Sequence, residues 1–181
     1  MKIKVPSVHL DHMLKQTRNH HAQLSQMADV KANMLLTIAS VVITISVPHL
    51  VDPNLRWAAL VLILFCLATI VLSTYAVMPK IPVIYSPQLK KRPISDTFNV
   101  HFFGDFARLS YSEYADLMED VLNDPDKTYE SMVKEIYTLG VFLAKKKYRF
   151  IRLSYLVFIL GFFASVITMV LTSGLVISFL H

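Results

Sequence analysis

The stretch LSYLVFILGFFASVITMVLTSGLVISFLH, residues 153–181, holds no Asp, Glu, Lys or Arg in 29 positions. An α-helix rises ~1.5 Å per residue, so about 20 residues cross a ~30 Å hydrocarbon core. This run is long enough by itself. Two others lie upstream, Ala32–Val51 with 20 residues and Trp57–Pro79 with 23. Between them DPNLR, residues 52–56, supplies the Asp, Pro and Asn of a tight turn. Trp57 opens the second run and Tyr75 lies near its end, where interfacial aromatics are favoured. The expected fold is a mainly α membrane protein, with transmembrane helices over 32–51, 57–79 and 152–180.

Composition points the same way. Hydrophobic residues make up 54% of the 181 and charged ones 17%, against about 25% charged in a soluble domain. Four glycines leave little material for a phosphate-cradling loop, and the single Cys66 excludes a disulfide framework or CxxC site within one chain. Of the 18 Lys and Arg, five fall in residues 1–31, one in the 52–56 turn and twelve in 80–152. The positive-inside rule then assigns the N-terminus and residues 80–152 to the cytoplasm and the C-terminus to the far face. Acidic residues reduce the net charge to +3 in 1–31 and +2 in 80–152. A nucleic-acid binder would carry a denser basic face with interleaved aromatics, so no nucleic-acid partner is expected.

The cytoplasmic parts divide into an N-terminal helix over 1–31 and a small, mostly helical domain over 80–151. Ser7 is placed to cap a helix starting at Val8. Leu10, Met13, Thr17, His20, Leu24 and Met27 make an interrupted apolar stripe, read either as packing or as a short self-associating seam. Pro82, Pro87 and Pro93 argue for irregular chain over 80–100, with room for one short β-hairpin from Ile81–Tyr85 and Val100–Phe103. Ser110 and Glu113 have capping-box spacing, and Tyr114, Leu117, Met118, Val121 and Leu122 share a face of the helix that follows. Asp124-Pro125 is a cap followed by a first-turn proline. No proline occurs after it, which predicts one rod over Lys127–Phe179 that joins the cytoplasmic domain to the third span.

Familiar catalytic signatures are missing: there is no HExxH, Walker-type loop, dinucleotide fingerprint or nucleophile elbow. We therefore expect no enzyme, no catalytic residue and no cofactor. The seven histidines include His9 and His12 one turn apart, but no carboxylate–histidine set accompanies them, and no metal site is expected. The three uncharged runs carry no Asp, Glu, Lys or Arg, groups that proton- and ion-coupled transporters usually keep in the membrane. They carry small polar stripes instead: Asn33, Thr37, Ser40 and Thr44 at i, i+4, i+7, i+11, and Gly161, Ser165, Thr168 and Thr172 in the same spacing. Such stripes let helices approach and hydrogen-bond in lipid. They serve either ordinary helix packing or a water-lined path built by several copies, since three spans cannot enclose a pore alone. The clusters Lys90-Lys91-Arg92 and Lys145-Lys146-Lys147 suit either phosphate or the anionic lipid of the bilayer.

Four segments carry a resemblance: HLDHML (9–14), ADVKANMLL (28–36), FFGDF (102–106) with LSYSEY (109–114), and IYTLGVFLAKKKYRFIRLSYLVFILG (136–161). In that order they resemble PycTM, the membrane-spanning effector family of Pycsar anti-phage systems, over residues 9–170. The resemblance implies a partner pyrimidine nucleotide cyclase that makes cCMP or cUMP on infection. It also implies an effector in the bacterial inner membrane that senses this ligand and impairs the membrane, as an oligomer or pore, in abortive infection. Asp29 and Lys31 at the mouth of the first span, with Lys147 and Tyr148 approaching that of the third, read as an interfacial pair or as a hinge between sensing and gating. For the ligand, Gly104 permits a tight backbone, Phe103 and Phe106 offer stacking faces, and Arg108 is the nearest cation. The bland reading of the same aromatics is a core anchor. The alternative function is a ligand-free, membrane-anchored assembly or structural module, and a neighbouring cyclase gene would separate the two.

Overall fold

The computed structural model describes residues 7–79, 98–107 and 109–172. Helix α1 (Val8–Ser46) continues into a 3-10 turn (Val47–Leu50), followed by α2 (Arg56–Val77), the one-turn α3 (Phe103–Phe106), α4 (Tyr111–Leu122) and α5 (Pro125–Phe142). A π-helical turn (Leu143–Tyr148) then leads directly into α6 (Arg149–Thr172). Three continuous helical stretches are long and apolar enough to cross a membrane: Val8–Leu50, Arg56–Val77 and Pro125–Thr172. The described residues contain no strand. Contacts divide the chain into two compact units, one of Met1–Leu24 with Pro79–Leu143 and the other of Ser25–Met78 with Ala144–His181.

The first unit is assembled by local caps and a few long-range polar contacts. The Ser7 carbonyl accepts from the Leu10 and Asp11 amides and starts α1. Ser110 caps α4 in a reciprocal box, its hydroxyl accepting the Glu113 amide while the Glu113 carboxylate accepts the Ser110 amide at 2.7 Å. Asp124 caps α5 ahead of Pro125. The buried Tyr129 donates its hydroxyl to Asp11 Oδ1 at 2.6 Å, and Arg18 Nε pairs with Glu135 at 2.9 Å. Two expectations change here. Met13 is 55% and Met27 51% exposed and His20 is also exposed, whereas Leu10, Leu14, Thr17, His21 and Leu24 are the less exposed positions. The inward face is thus rotated slightly from the expected stripe: Leu10, Thr17 and Leu24 stay on it, while Leu14 and polar His21 take the places of Met13 and His20. Leu122 is 66% exposed, and half-buried Ala115 joins Tyr114, Leu117, Met118 and Val121 on the covered side of α4.

The expected β-hairpin also fails. Val100–Phe103 is a turn that runs into α3 instead of a strand. Asn99 causes this: its side-chain oxygen accepts the His101 amide at 3.0 Å, and its carbonyl accepts the Phe102 amide at 3.1 Å. An Asn side chain that bonds two residues onward mimics a backbone turn and outcompetes extended chain. The partner segment Ile81–Tyr85 lies outside the described residues.

The second unit is a membrane-type helix packing. Ala58, Ala59, Cys66, Thr69, Ser73 and Ala76 are buried on α2, and Ile151, Ser154, Gly161 and Ser165 on α6. Small side chains on both surfaces let backbones approach, which is how helices associate without a hydrophobic drive in lipid. At Gly161 the approach is close: an added Cβ would collide with Cβ and Cγ of Phe65. Ser165 Oγ donates to the Ala58 carbonyl at 2.9 Å. The pairs Ala58–Ser165 and Tyr75–Phe150 set α2 and α6 antiparallel. At the α1–α2 connection, Asp52 Oδ1 accepts the Asn54 amide at 2.9 Å and the Asp52 carbonyl the Arg56 amide at 2.8 Å, closing the tight turn.

Candidate functional site at the π-helical turn

Leu143-Ala-Lys-Lys-Lys-Tyr148 forms the six-residue π-helical turn. A π-turn accommodates about one extra residue in an α-helix and recurs at functional positions. Of its three lysines, Lys147 turns inward. Its ammonium lies 2.7 and 2.8 Å from the two Asp29 carboxylate oxygens and 2.9 Å from Ser25 Oγ. An ammonium has three donors, and here each one has an acceptor. The Lys147 side chain is only 12% exposed while that of Asp29 is 41%. The lysine, more than the aspartate, therefore depends on the contact for its solvation.

Beside this latch, Ala28, Ala32, Ala76 and Ile151 form a buried cluster, with Val77, Tyr148 and Phe150 packed against it. Tyr75 meets Phe150 edge-on at a centroid distance of 4.5 Å. The sequence reading grouped Asp29, Lys31, Lys147 and Tyr148. The structure joins Asp29 to Lys147, sets Tyr148 in the adjoining apolar cluster and leaves Lys31 exposed. Two residues turn an α-helix by about 200°, so Asp29 and Lys31 cannot share a face. Ser25, the third acceptor, was missed. It lies one turn before Asp29, so helical spacing from Asp29 was the signal that would have found it.

In the first unit, the aromatic-glycine segment is held by a polar network. Buried Asn99 donates its amide N–H to Asp105 Oδ2 and its side-chain amide to Thr138 Oγ1, both at 3.0 Å. His101 Nε2 lies 3.0 Å from Ser131 Oγ. Gly104 is buried and Phe106 stacks on Tyr114 at 4.9 Å, whereas Phe102 and Phe103 remain 42% and 51% exposed with centroids 5.2 Å apart. Thus Phe106 is an anchor and Phe103 an available face. Arg108 lies outside the described residues. The sequence reading did not single out Asn99, His101, Ser131 or Thr138, although an Asn just ahead of an aromatic-glycine run was a turn signal.

The two polar stripes have different surroundings. Asn33, Thr37, Ser40 and Thr44 are exposed, opposite the buried Ala28, Ala32, Leu35 and Ala39 of α1. The hydroxyls of Thr37, Ser40 and Thr44 bond back to carbonyls one turn earlier at 2.7 to 3.0 Å. Gly161 and Ser165 instead face α2 of the same chain. Thr168 bonds the Ala164 carbonyl at 2.8 Å, and Thr172 bonds those of Thr168 at 2.8 Å and Asn54 at 3.4 Å.

Three apolar helices, small-residue packing between two of them and an ion-pair latch at one end define a helical membrane protein. Comparison with known families makes it more specific. The PycTM profile, the Pycsar effector protein domain, matches residues 12–174, and the chain belongs to this family. Membership makes it a membrane effector of anti-phage defence. Neither the curated proteins nor the solved structures contain a match to the chain.

Proposed function

We propose that the chain is a cyclic-pyrimidine-nucleotide-responsive effector of the bacterial inner membrane. On this reading residues 1–31 and 80–151 lie in the cytoplasm, 32–51, 57–79 and 152–180 cross the bilayer, and the C-terminus is periplasmic. The ligand, cCMP or cUMP from a partner cyclase, occupies the first unit against Phe103, with Gly104 and Phe106 shaping the turn and Arg108 opposing its phosphate. Several copies assemble, and the exposed stripe Asn33, Thr37, Ser40 and Thr44 lines the resulting path or interface and impairs the membrane. The observation that carries the reading is the Lys147–Asp29–Ser25 latch, because it ties the helix that becomes the third span to the helix that becomes the first. Breaking and remaking such a contact gives a two-state element for a ligand to bias. A ligand shifts such an equilibrium only by its differential affinity, and a change from 1:99 to 99:1 takes ~5.5 kcal/mol.

The test measures cCMP and cUMP binding to the purified full chain, beside membrane-potential loss in cells carrying a cyclase. Arg108→Ala is expected to lose both binding and toxicity, and Asp29→Ala to keep binding and lose toxicity. A parent protein that binds neither nucleotide overturns the sensing role and leaves the ligand-free assembly module as the better reading.

A further inference from the structure

Carboxylates are scarce in the second unit. Its sequence holds two, Asp29 and Asp52, and no acidic residue follows Glu135 anywhere in the chain. Asp29 is engaged by Lys147, and Asp52 accepts from Asn54 in the connection before α2. That connection is at the opposite end of α2 from Tyr75, which meets Phe150. Yet the stretch from Lys145 to Arg152 presents Lys145, Arg149 and Arg152, all exposed, at i, i+4 and i+7 on one helical face. None of the three pairs with a carboxylate among the described residues. One turn further along the same face the surface becomes apolar: Leu156, Leu160 and Phe163 are 48%, 59% and 60% exposed.

We propose that this face of α6 is a binding site for an anionic phospholipid. Arg149 and Arg152, with Lys145, hold the phosphate, and an acyl chain lies along Leu156, Leu160 and Phe163. The sequence of surfaces matches the ligand end to end, cationic at headgroup depth and hydrocarbon below it. A guanidinium offers paired N–H donors to phosphate oxygens. With Asp29 already engaged, no carboxylate among the described residues neutralises the three cations, and an anionic headgroup would. Zwitterionic lipid carries its own cation and satisfies them less well. The site does not depend on any nucleotide.

Native mass spectrometry of the full-length protein, titrated with phosphatidylglycerol or phosphatidylcholine, tests the site. Each cation near a membrane surface contributes ~1 kcal/mol toward anionic lipid, so R149Q/R152Q is expected to weaken phosphatidylglycerol binding about thirtyfold. R149K/R152K is expected to restore most of it, and Lys134→Gln, in the first unit, to change nothing. Should R149Q/R152Q fail to fold, Lys145→Gln carries the test, with an expected loss of about fivefold. Equal affinity of the parent for the two lipids overturns the proposal, as does undiminished binding by a folded R149Q/R152Q. Inorganic phosphate and glycerol phosphate are the competing arm. If millimolar amounts displace the lipid, the face is a free-anion site and the lipid assignment falls.

Discussion

Lys147 shows what one side chain demands of its surroundings. Removing a fully buried ion-pair partner costs about 3–5 kcal/mol, whereas exposed pairs contribute about 0–1. With the lysine shielded and the aspartate half open, a double-mutant cycle of Asp29→Ala and Lys147→Met should give a coupling of about 1–3 kcal/mol in thermal unfolding. A coupling near zero would remove the latch as a structural element. Tyr129 gives a pH prediction. Its hydrogen bond to Asp11, then desolvation, hold the phenol above its ordinary value. The folded protein retains that proton longer than the unfolded chain, so the contribution is complete below the unfolded pKa of about 10. It is lost as pH rises through the raised value. Melting temperatures across that alkaline range should fall more steeply for the parent than for Tyr129→Phe. Residue-level legibility followed sequence distance. The Ser110–Glu113 box and the Asp124 cap were readable because each motif contains both partners. Asp29 and Lys147 were each noticed, but a pairing across 118 positions leaves no local periodicity.

Among the elements, the α2–α6 packing yields the clearest test. Gly161→Leu places four carbons where Phe65 already stands, and overpacking of this kind costs typically 1–3 kcal/mol. The loss should appear in the unfolding of the single chain, and a smaller residue at position 65 should recover part of it. If Gly161→Leu melts like the parent and only its oligomer size changes, the glycine faces another copy instead. The π-turn supports a second prediction. Since it absorbs one surplus residue, deleting Lys145 should leave plain α-helix across the junction. Deleting Val157 instead rotates Gly161 and Ser165 by about 100° off α2. Yield and melting temperature should be close to parental for the first deletion and collapse for the second. Helix existence was legible from apolar runs and the lack of proline. The missing strand was not, because side-chain bonding by Asn99 overrode local β preference. Nor was all of the inward face of α1, because its seam takes in Leu14 and polar His21 in place of Met13 and His20.

For the molecule as a whole, the three membrane-capable helices were read directly from composition, since an uncharged run of twenty residues has few alternatives in any fold. An odd number of crossings puts the termini on opposite sides of the bilayer. A reporter fused after His181 should read as periplasmic and one at the N-terminus as cytoplasmic; agreement of the two on one side would overturn the proposed topology. The division into two units was not legible, because α1 and the stretch from Pro125 to Thr172 each run through both without a break. The π-turn lies on the second of these passages, and it has a consequence for ancestry. A helix that stores one surplus residue is what a single-residue insertion into a plain α-helix would leave. Descendants of the uninserted ancestor should align on both flanks with a one-position gap between Leu143 and Tyr148, and a search for kin that forbids a gap inside a helix would pass them over.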